Sequence, residues 1–198
     1  MGLLYGVGIK DVDYNVYKTG SVDGKRKVLW YCPFYKTWSR MLERCQSEKL
    51  HAKYPTYRGC SFISNWAYLS NFKAWMETQD WEGKELDKDL LVPGNKLYSP
   101  ETCVFVDQRV NTFITESTSS RGKFMIGVSY EKSSNRFVAQ CWSVVERKNI
   151  RIGRYRTEQE AHQAWLNFKL EQAHILASQQ TDSRIAEALV KRYENYTP

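Results

Sequence analysis

The sequence has little of what membrane proteins and secreted proteins use. It contains no apolar run approaching the ~18 residues that a membrane-spanning helix needs, so we expect no membrane partner. The opening residues do not combine a basic segment with a following apolar one, so we expect no signal peptide. Histidine is scarce as well, with three in 198 residues. That scarcity leaves few side chains that titrate near neutral pH.

Cysteine pairs are also missing, because none of the five cysteines belongs to a CxxC motif. An odd number with irregular spacing is typical of reduced thiols in the cytosol rather than of a disulfide framework. Most structural zinc sites use a CxxC pair, so the spacing disfavours a structural zinc. We therefore predict a cytoplasmic protein with buried free thiols. The four cysteines of the first half, which could otherwise hold zinc, are Cys32, Cys45, Cys60 and Cys103.

What the sequence does have is positive charge and aromatic rings. The net charge is +7, and thirteen Tyr and seven Trp give an aromatic content of 14% together with Phe. Residues 121 to 156 hold nine Lys or Arg and two acids, so this segment matches the whole excess charge. A basic segment favours a polyanionic partner such as DNA, RNA or an anionic membrane surface.

The first half is predicted to form two amphipathic helices, one on each side of a polar, turn-rich stretch at residues 46 to 60. Pro33 begins the first helix, and apolar residues recur at helical spacing from Phe34 to Cys45. Its basic face is either solvated surface or a phosphate contact; that face carries Lys36, Arg40 and Arg44. The second helix spans Ile63 to Met76, with its tryptophans in the core. Val28 to Tyr31 predicts a short strand.

A polar cluster stands out between residues 85 and 111. Asp87, Lys88 and Asp89 form an acid–lysine–acid triplet ahead of a Pro-Gly-Asn turn that ends at Asn95. Leu90 to Val92 and Val104 to Val106 predict two short buried strands on either side of that turn. Residues 111 to 116 predict the start of a helix.

A polar linker at residues 117 to 122 marks the domain boundary, so we predict domains at 1–116 and 117–198. Three strands are expected at 124–130, 136–142 and 149–155. A helix follows, because Thr157 and Glu160 match a capping box. Residues 182 to 193 predict a final amphipathic helix. The fold class is therefore α+β, with a three-stranded antiparallel sheet packed on a helix in the second domain.

This second domain resembles the APETALA2-type DNA-binding domain of plant transcription factors and phage endonucleases. The residues that carry the resemblance are Ile126 to Tyr130, Arg136 to Gln140, Ile152 to Tyr155, and Thr157 to Ala161 with Ala164. In that family the sheet lies in the major groove, so the resemblance implies double-stranded DNA as partner. The side chains that would face DNA are Ser129, Lys132, Arg136, Gln140, Trp142, Arg151, Arg154 and Arg156. Those expected to meet phosphate only are Lys123, Arg147 and Lys148.

The first domain resembles the nuclease domain of phage free-standing HNH homing endonucleases. The shared residues are Tyr35, Trp38, Met41, Leu42, Arg44 and Cys45; Pro55 to Tyr57; Trp66, Phe72 and Trp75; Leu86 to Asp89; Gly94 to Lys96; Tyr98 to Cys103; and Asn111. The family's catalytic unit is a ββα-metal finger, so the resemblance implies a divalent metal, Mg²⁺ or Mn²⁺. It implies Asp87 as the first metal ligand, Asn111 as the ligand on the helix, and Asn95 as the loop residue.

One position departs from that family, because Lys88 stands where the catalytic His is expected. Three interpretations remain open. Lys88 could act as base if burial or a nearby charge lowered its pKa. Asp89, or water on the metal, could act instead. The domain could also bind DNA without cutting it.

The two resemblances together predict a site-specific, homing-type DNA endonuclease that acts as a monomer. The first domain would cut and the second would recognise sequence. The alternative is a sequence-specific DNA-binding protein derived from an inactive nuclease. An RNA-binding role has less support, because the sequence shows no recognisable RNA-binding module.

Overall fold

The protein is described here by a computed structural model that covers residues 2 to 115 and 123 to 196. Both halves of the chain contain helices and strands, so the mixed α+β class is confirmed. In chain order they are β1 (Tyr17–Val22), β2 (Lys25–Tyr31), α1 (Pro33–Gln46), α2 (Glu48–Lys53), β3 (Ser61–Phe62), α3 (Leu69–Met76), β4 (Glu85–Asp87), β5 (Leu97–Tyr98), β6 (Val104–Val106), α4 (Gln108–Ile114), β7 (Val128–Glu131), β8 (Arg136–Ser143), β9 (Lys148–Tyr155), α5 (Glu158–Ala177) and α6 (Ser183–Glu194). Within the described residues, none of these helices is long and apolar enough to cross a bilayer.

The chain divides into two compact units, Met1–Gln108 and Arg109–Pro198. The boundary predicted from the sequence lies farther along, at residue 117. The polar linker predicted at 117–122 falls outside the described residues. Helix α4 begins at the junction of the two units, earlier than the start predicted at residue 111.

The first unit is built around helix α1, which begins at Pro33 as predicted. Its apolar stripe is buried, and Trp38 is fully buried, donating a 2.7 Å hydrogen bond to the Trp66 carbonyl. That bond satisfies the indole N–H, which would be costly to leave unpaired in a core. Leu42 and Phe72 are also fully buried in this cluster. The first unit therefore has a core of its own.

The predicted second helix is wrong as a single element, although its core residues are right. A 3₁₀ turn at Ser64–Ala67 precedes α3, and the chain is extended at Tyr68 between them. Ile9 forms an isolated bridge with Tyr68. Its N–H donates a 2.8 Å hydrogen bond to the Ala67 carbonyl, and its carbonyl accepts one of 3.0 Å from the Leu69 N–H. A distant segment thus takes backbone groups that a continuous helix would have used.

Residues 46 to 60, expected to be polar turns, contain helix α2. The Ser47 hydroxyl caps it by accepting a 3.2 Å hydrogen bond from the Leu50 N–H. His51 lies in α2 and its Nε2 is 2.8 Å from the Arg44 carbonyl, at the end of α1. A polar sequence therefore forms a short capped helix here.

The predicted strand at Leu90 to Val92 is wrong, because the strand lies earlier. Strand β4 pairs antiparallel with β6, with Leu86 opposite Phe105 and Asp87 opposite Val104. Leu90 is buried, but it lies in the bend that follows. The Pro93–Gly94 turn is confirmed, and a 3.0 Å bond from Asn95 N to Val92 O closes it.

The second unit contains the predicted three-stranded sheet, in the order β7–β8–β9 and antiparallel throughout. Helix α5 packs on one face, where Trp165 and Ala161 contact Ala139 and Cys141. The predicted capping box is confirmed, with reciprocal bonds between Thr157 and Glu160. The final helix is confirmed as α6, capped by Asp182.

Strand β7 begins later than predicted, at Val128 instead of residue 124. Gly127 has a φ of +77°, and Val128 N bonds Met125 O at 3.1 Å, so the chain turns before it extends. Close packing also requires glycine there. A Cβ atom at Gly127 would lie 2.0 Å from Trp165 Cδ1.

Candidate functional site

Asp87 is the last residue of β4, and its carboxylate shapes the bend that follows. Its Oδ1 accepts hydrogen bonds from the N–H groups of Asp89 (2.9 Å) and Leu90 (2.7 Å). Such side-chain bonds compete with a strand ladder. They explain why the chain leaves the extended conformation before Leu90.

The electrostatics of Asp87 are unfavourable for its charged form. Burial raises the pKa of Asp87, and the neighbouring Asp89 carboxylate raises it further. The two backbone N–H bonds and the Lys88 ammonium act in the opposite direction without cancelling the rise. A cation beside Asp87 and Asp89 would stabilise the charged form of the Asp87 carboxylate.

Lys88 is the buried member of the triplet, with 6% of its surface exposed. Its Nζ donates to Asp89 Oδ2 at 2.9 Å and to the Asn95 carbonyl at 2.9 Å. The Asp89 side chain itself is 46% exposed. Lys88 therefore joins the triplet to the following loop, and its ammonium is held in place by two acceptors.

Asn95 fixes the other side of that loop. Its Nδ2 donates to Lys88 O (2.7 Å) and Leu97 O (2.6 Å), and its Oδ1 accepts from Leu97 N (3.1 Å). The amide is thus fully used in holding local backbone. This arrangement gives Asn95 a positioning role in the loop.

The structure therefore brings four of the five residues predicted for the nuclease site into one hydrogen-bonded cluster. These four, which we call the triplet cluster, are Asp87, Lys88, Asp89 and Asn95. The fifth, Asn111, lies on α4, and its carbonyl accepts bonds from the N–H and Oγ1 of Thr115. Since Arg109–Pro198 forms a separate compact unit, a shared metal site with Asn111 stays a prediction.

The triplet cluster suits a hard divalent cation in its donor chemistry. Mg²⁺ commonly binds through one or two carboxylates, keeping several waters and taking further oxygens from a phosphate. Asp87 and Asp89 supply two such carboxylates. Among the residues that the structure describes, no three His, Cys, Asp or Glu side chains group together as a metal cage. The fit is thus to a water-rich Mg²⁺ or Mn²⁺ site and not to a closed one.

Sequence reasoning missed the support that Arg44 gives to strand β4. Its Nη1 lies 3.4 Å from the Leu86 carbonyl, and its guanidinium is 5.3 Å from the Tyr57 ring centroid. The predicted basic face of α1 therefore divides. Lys36 and Arg40 are exposed, whereas Arg44 faces inward against the strand. The signal available for this inward position was that Arg44 lies one turn beyond Arg40 and directly before Cys45 of the apolar stripe.

In the second unit, the outer face of the sheet collects the residues predicted to meet DNA. Ser129, Val138 and Arg154 stand opposite one another across the three strands, and Gln140 stands opposite Arg151. Trp142 is 51% exposed on the same face. Val138 lies on the same face, yet it is only 4% exposed.

A β-bulge places two arginines on that one face. The register shifts between Ala139 and Gln140, so Ile152 has no direct partner on β8. Without the extra residue, Arg151 and Arg154 would point to opposite faces, because side chains alternate along a strand. The bulge brings both guanidinium groups to the same side.

Both arginines reach one carboxylate, Glu131, at the end of β7. Arg154 Nε donates to Oε2 at 2.7 Å, and Arg151 Nη2 donates to Oε1. These bonds, that of Arg154 first, together with one from Ser134, lower the pKa of Glu131 to about 2. We call this arrangement the Glu131 clamp. No role was predicted for Glu131, which lies between the strands expected at 124–130 and 136–142.

The other predicted DNA contacts surround this face. Lys132 lies in the β7–β8 turn, Arg147 in the β8–β9 turn, and Lys148 begins β9. Arg136 begins β8 and is partly buried, while Arg156 follows β9 and Lys123 precedes β7, both exposed. Apart from Lys123, which lies five residues before β7, every predicted contact is on the outer face, in a turn or at a strand end.

Comparisons with protein families, curated proteins and solved structures found no match to this chain.

Proposed function

We propose that the chain is a site-specific DNA endonuclease that depends on a divalent metal, Mg²⁺ or Mn²⁺. The observation that supports this most is the grouping of Asp87 and Asp89 in one hydrogen-bonded cluster, where the Asp89 charge adds to burial in raising the pKa of Asp87. The basic outer face of the second unit supports DNA as the substrate. We also propose an HNH-type ββα-metal fold for the nuclease site.

The chain's own residues would act as follows. Asp87 and Asp89 would hold the metal, which when bound stabilises charge developing on a scissile phosphate and its leaving oxygen. Lys88 would keep Asp89 oriented through the 2.9 Å bond, and Asn95 would keep the loop closed. Asp89, whose side chain is 46% exposed, could instead take a proton from attacking water while Asp87 holds the metal.

The second unit would supply DNA binding. A major groove is wide enough to admit a β-ribbon, and the outer face offers Arg, Gln and Trp side chains. Arg suits guanine edges and phosphates, and Gln suits adenine. The exposed Lys132, Arg147 and Lys148 in the turns would contact phosphate and carry no sequence information.

A second function, DNA binding without cleavage, is favoured by one observation. The Lys88 ammonium already neutralises Asp89 in the described structure, and Asp87 Oδ1 is already used by two N–H groups. A cluster satisfied in this way can be structural alone. In that case, the protein would be a sequence-specific DNA-binding protein.

One experiment separates the two functions. The full chain is incubated with genomic DNA from its own source and Mg²⁺ or Mn²⁺, with and without EDTA, beside Asp87→Ala. We expect cleavage at discrete sites that EDTA abolishes and that the variant lacks, while duplex binding measured by gel shift persists. Binding without any metal-dependent cut would establish the second function. Equal cleavage by Asp87→Ala would refute the assignment of Asp87.

A further inference from the structure

The hairpin of β1 and β2 in the first unit has no role in the proposed cleavage site. An Asp23–Gly24 turn joins its strands, with φ values of +53° and +71°, as in the tight type I′ turns of hairpins. Every residue of β2 is exposed, including Leu29 at 60% and Trp30 at 43%. Exposed apolar side chains in one contiguous element indicate a binding surface.

One face of this hairpin carries a row of aromatic rings. Tyr17 stands opposite Tyr31, with ring centroids 6.2 Å apart. Tyr31 in turn stacks on Tyr35 of α1 at 6.5 Å, with ring planes 12° apart. Tyr35 contacts the fully buried Trp38. The row is therefore anchored in the core at one end and exposed at the other.

Beside this row lies an open pocket of about 540 Å³, whose positive charge comes from Arg26 and Lys27. Arg26 is fixed by Nε and Nη2 bonds of 3.3 and 3.2 Å to Thr19 Oγ1. The pocket is lined by Tyr17, Thr19, Arg26, Lys27, Val28, Tyr31 and Tyr35.

We infer that this pocket binds unpaired nucleotides of a DNA strand. Tyrosine rings offer stacking surfaces for bases of any sequence, and Arg26 and Lys27 offer charge to the adjoining phosphates. Bases within a duplex are stacked on one another and cannot present their faces to Tyr17 or Tyr31. The pocket therefore selects a strand that has been opened or cut. This inference rests on DNA as the partner of the chain but not on its cleavage.

The test uses the full chain, EDTA and a fluorescein-labelled oligothymidylate of about ten nucleotides, with binding followed by anisotropy. The double variant Tyr17→Ala and Tyr31→Ala is expected to bind about tenfold more weakly, since a lost base stack costs ~1–3 kcal/mol. Tyr31→Phe keeps the ring and is expected to bind normally. The pair Arg26→Gln and Lys27→Gln is expected to weaken binding and flatten its salt dependence.

Matched controls come from α2 and its C-terminal cap. Tyr54 has the same exposure as Tyr31, 45%, and Tyr54→Ala is expected to leave binding unchanged. The pair Lys49→Gln and Lys53→Gln removes the same charge from exposed positions. An equal loss in these controls would show that the effect is not local, and the inference would fail.

A cross-linking experiment locates the bound strand directly. An oligothymidylate with one 5-iododeoxyuridine is irradiated with the protein, and the labelled peptide is identified by mass spectrometry. We expect attachment at Tyr17, Tyr31 or Tyr35. Attachment confined to residues 123 to 196, or unchanged affinity of the tyrosine double variant, would overturn the inference. Because EDTA is present throughout, neither result depends on whether the protein cleaves DNA.

Discussion

Asp87 meets two opposing demands on one side chain. Its Oδ1 holds the bend after β4, which needs only an acceptor. Metal binding needs its negative charge, which burial and Asp89 make costly. An asparagine would meet the first demand and fail the second, so the two can be separated by substitution.

We predict that Asp87→Asn stabilises the first unit at neutral pH while reducing cleavage about a hundredfold or more. The folded-state pKa of Asp87 is raised above its ordinary 3.8. The contribution of the Asp87 carboxyl group to the free energy of unfolding is therefore complete below pH 3.8. It is lost as pH rises through the raised pKa. The gain in Tm should be a few degrees at pH 7 and absent in acid. Thermal melts across this pH range measure it.

The control for that measurement is Asp23→Asn. Its side chain is 87% exposed, and asparagine tolerates the left-handed conformation of residue 23 well. We expect no change in Tm at any pH. A gain at Asp23 equal to that at Asp87, or a loss of stability in Asp87→Asn, would contradict the account of Asp87.

At the scale of elements, the sequence predicted the features that interactions between nearby residues determine. The stripe of α1 and the Thr157–Glu160 capping box are read from spacing alone, and both are present. The break at Tyr68 and the end of β4 were missed. The first depends on Ile9, far away in sequence, and the second on two hydrogen bonds to Asp87. Neither interaction leaves a periodic signal.

The triplet cluster likewise combines features that the sequence predicts with one that it does not. The resemblance to HNH nucleases placed Asp87 and Asn95, and the turn signal at Pro93–Gly94 was sufficient to expect a loop between them. The burial of Lys88 could not be predicted, because a lysine between two acids is normally expected to be exposed to solvent. Only the folded chain supplies its second acceptor, the Asn95 carbonyl.

Two glycines offer a matched test of backbone strain against packing. Gly94 and Gly127 share a φ of +77°, but a Cβ at Gly94 would meet nothing within 4 Å, whereas one at Gly127 would clash with Trp165. We predict that Gly94→Ala costs ~1–2 kcal/mol from strain alone. Gly127→Ala should cost ~1–3 kcal/mol more. Urea unfolding followed by circular dichroism measures both, and equal losses would refute the packing term.

At the scale of the whole molecule, the charge is unevenly distributed along the chain. Residues 121 to 156 carry an excess of +7, equal to that of the entire sequence. Most of those cations are exposed on the outer face of the second unit or in its turns. Binding to a duplex should therefore depend on this unit's phosphate contacts.

We predict that Lys132→Gln or Arg147→Gln lowers the slope of log K against log salt concentration by about 1 each, because each removes one phosphate contact. Both should weaken binding to all duplex sequences alike. Duplex titrations over a range of salt concentrations measure the slope. Lys49→Gln in α2 is the control and should leave it unchanged. An unchanged slope in Lys132→Gln and Arg147→Gln would exclude these turns from the DNA contact.

The Glu131 clamp affects what such titrations report. In the free protein, the carboxylate of Glu131 already stands beside Arg151 and Arg154, where dissolved anions would otherwise gather. Glu131 is thus a resident counterion that cannot diffuse away. When a phosphate displaces it, no anion from these two arginines enters the solvent, and the entropy gain of ion release is smaller. The second unit should therefore hold DNA with less sensitivity to salt than its count of arginines suggests.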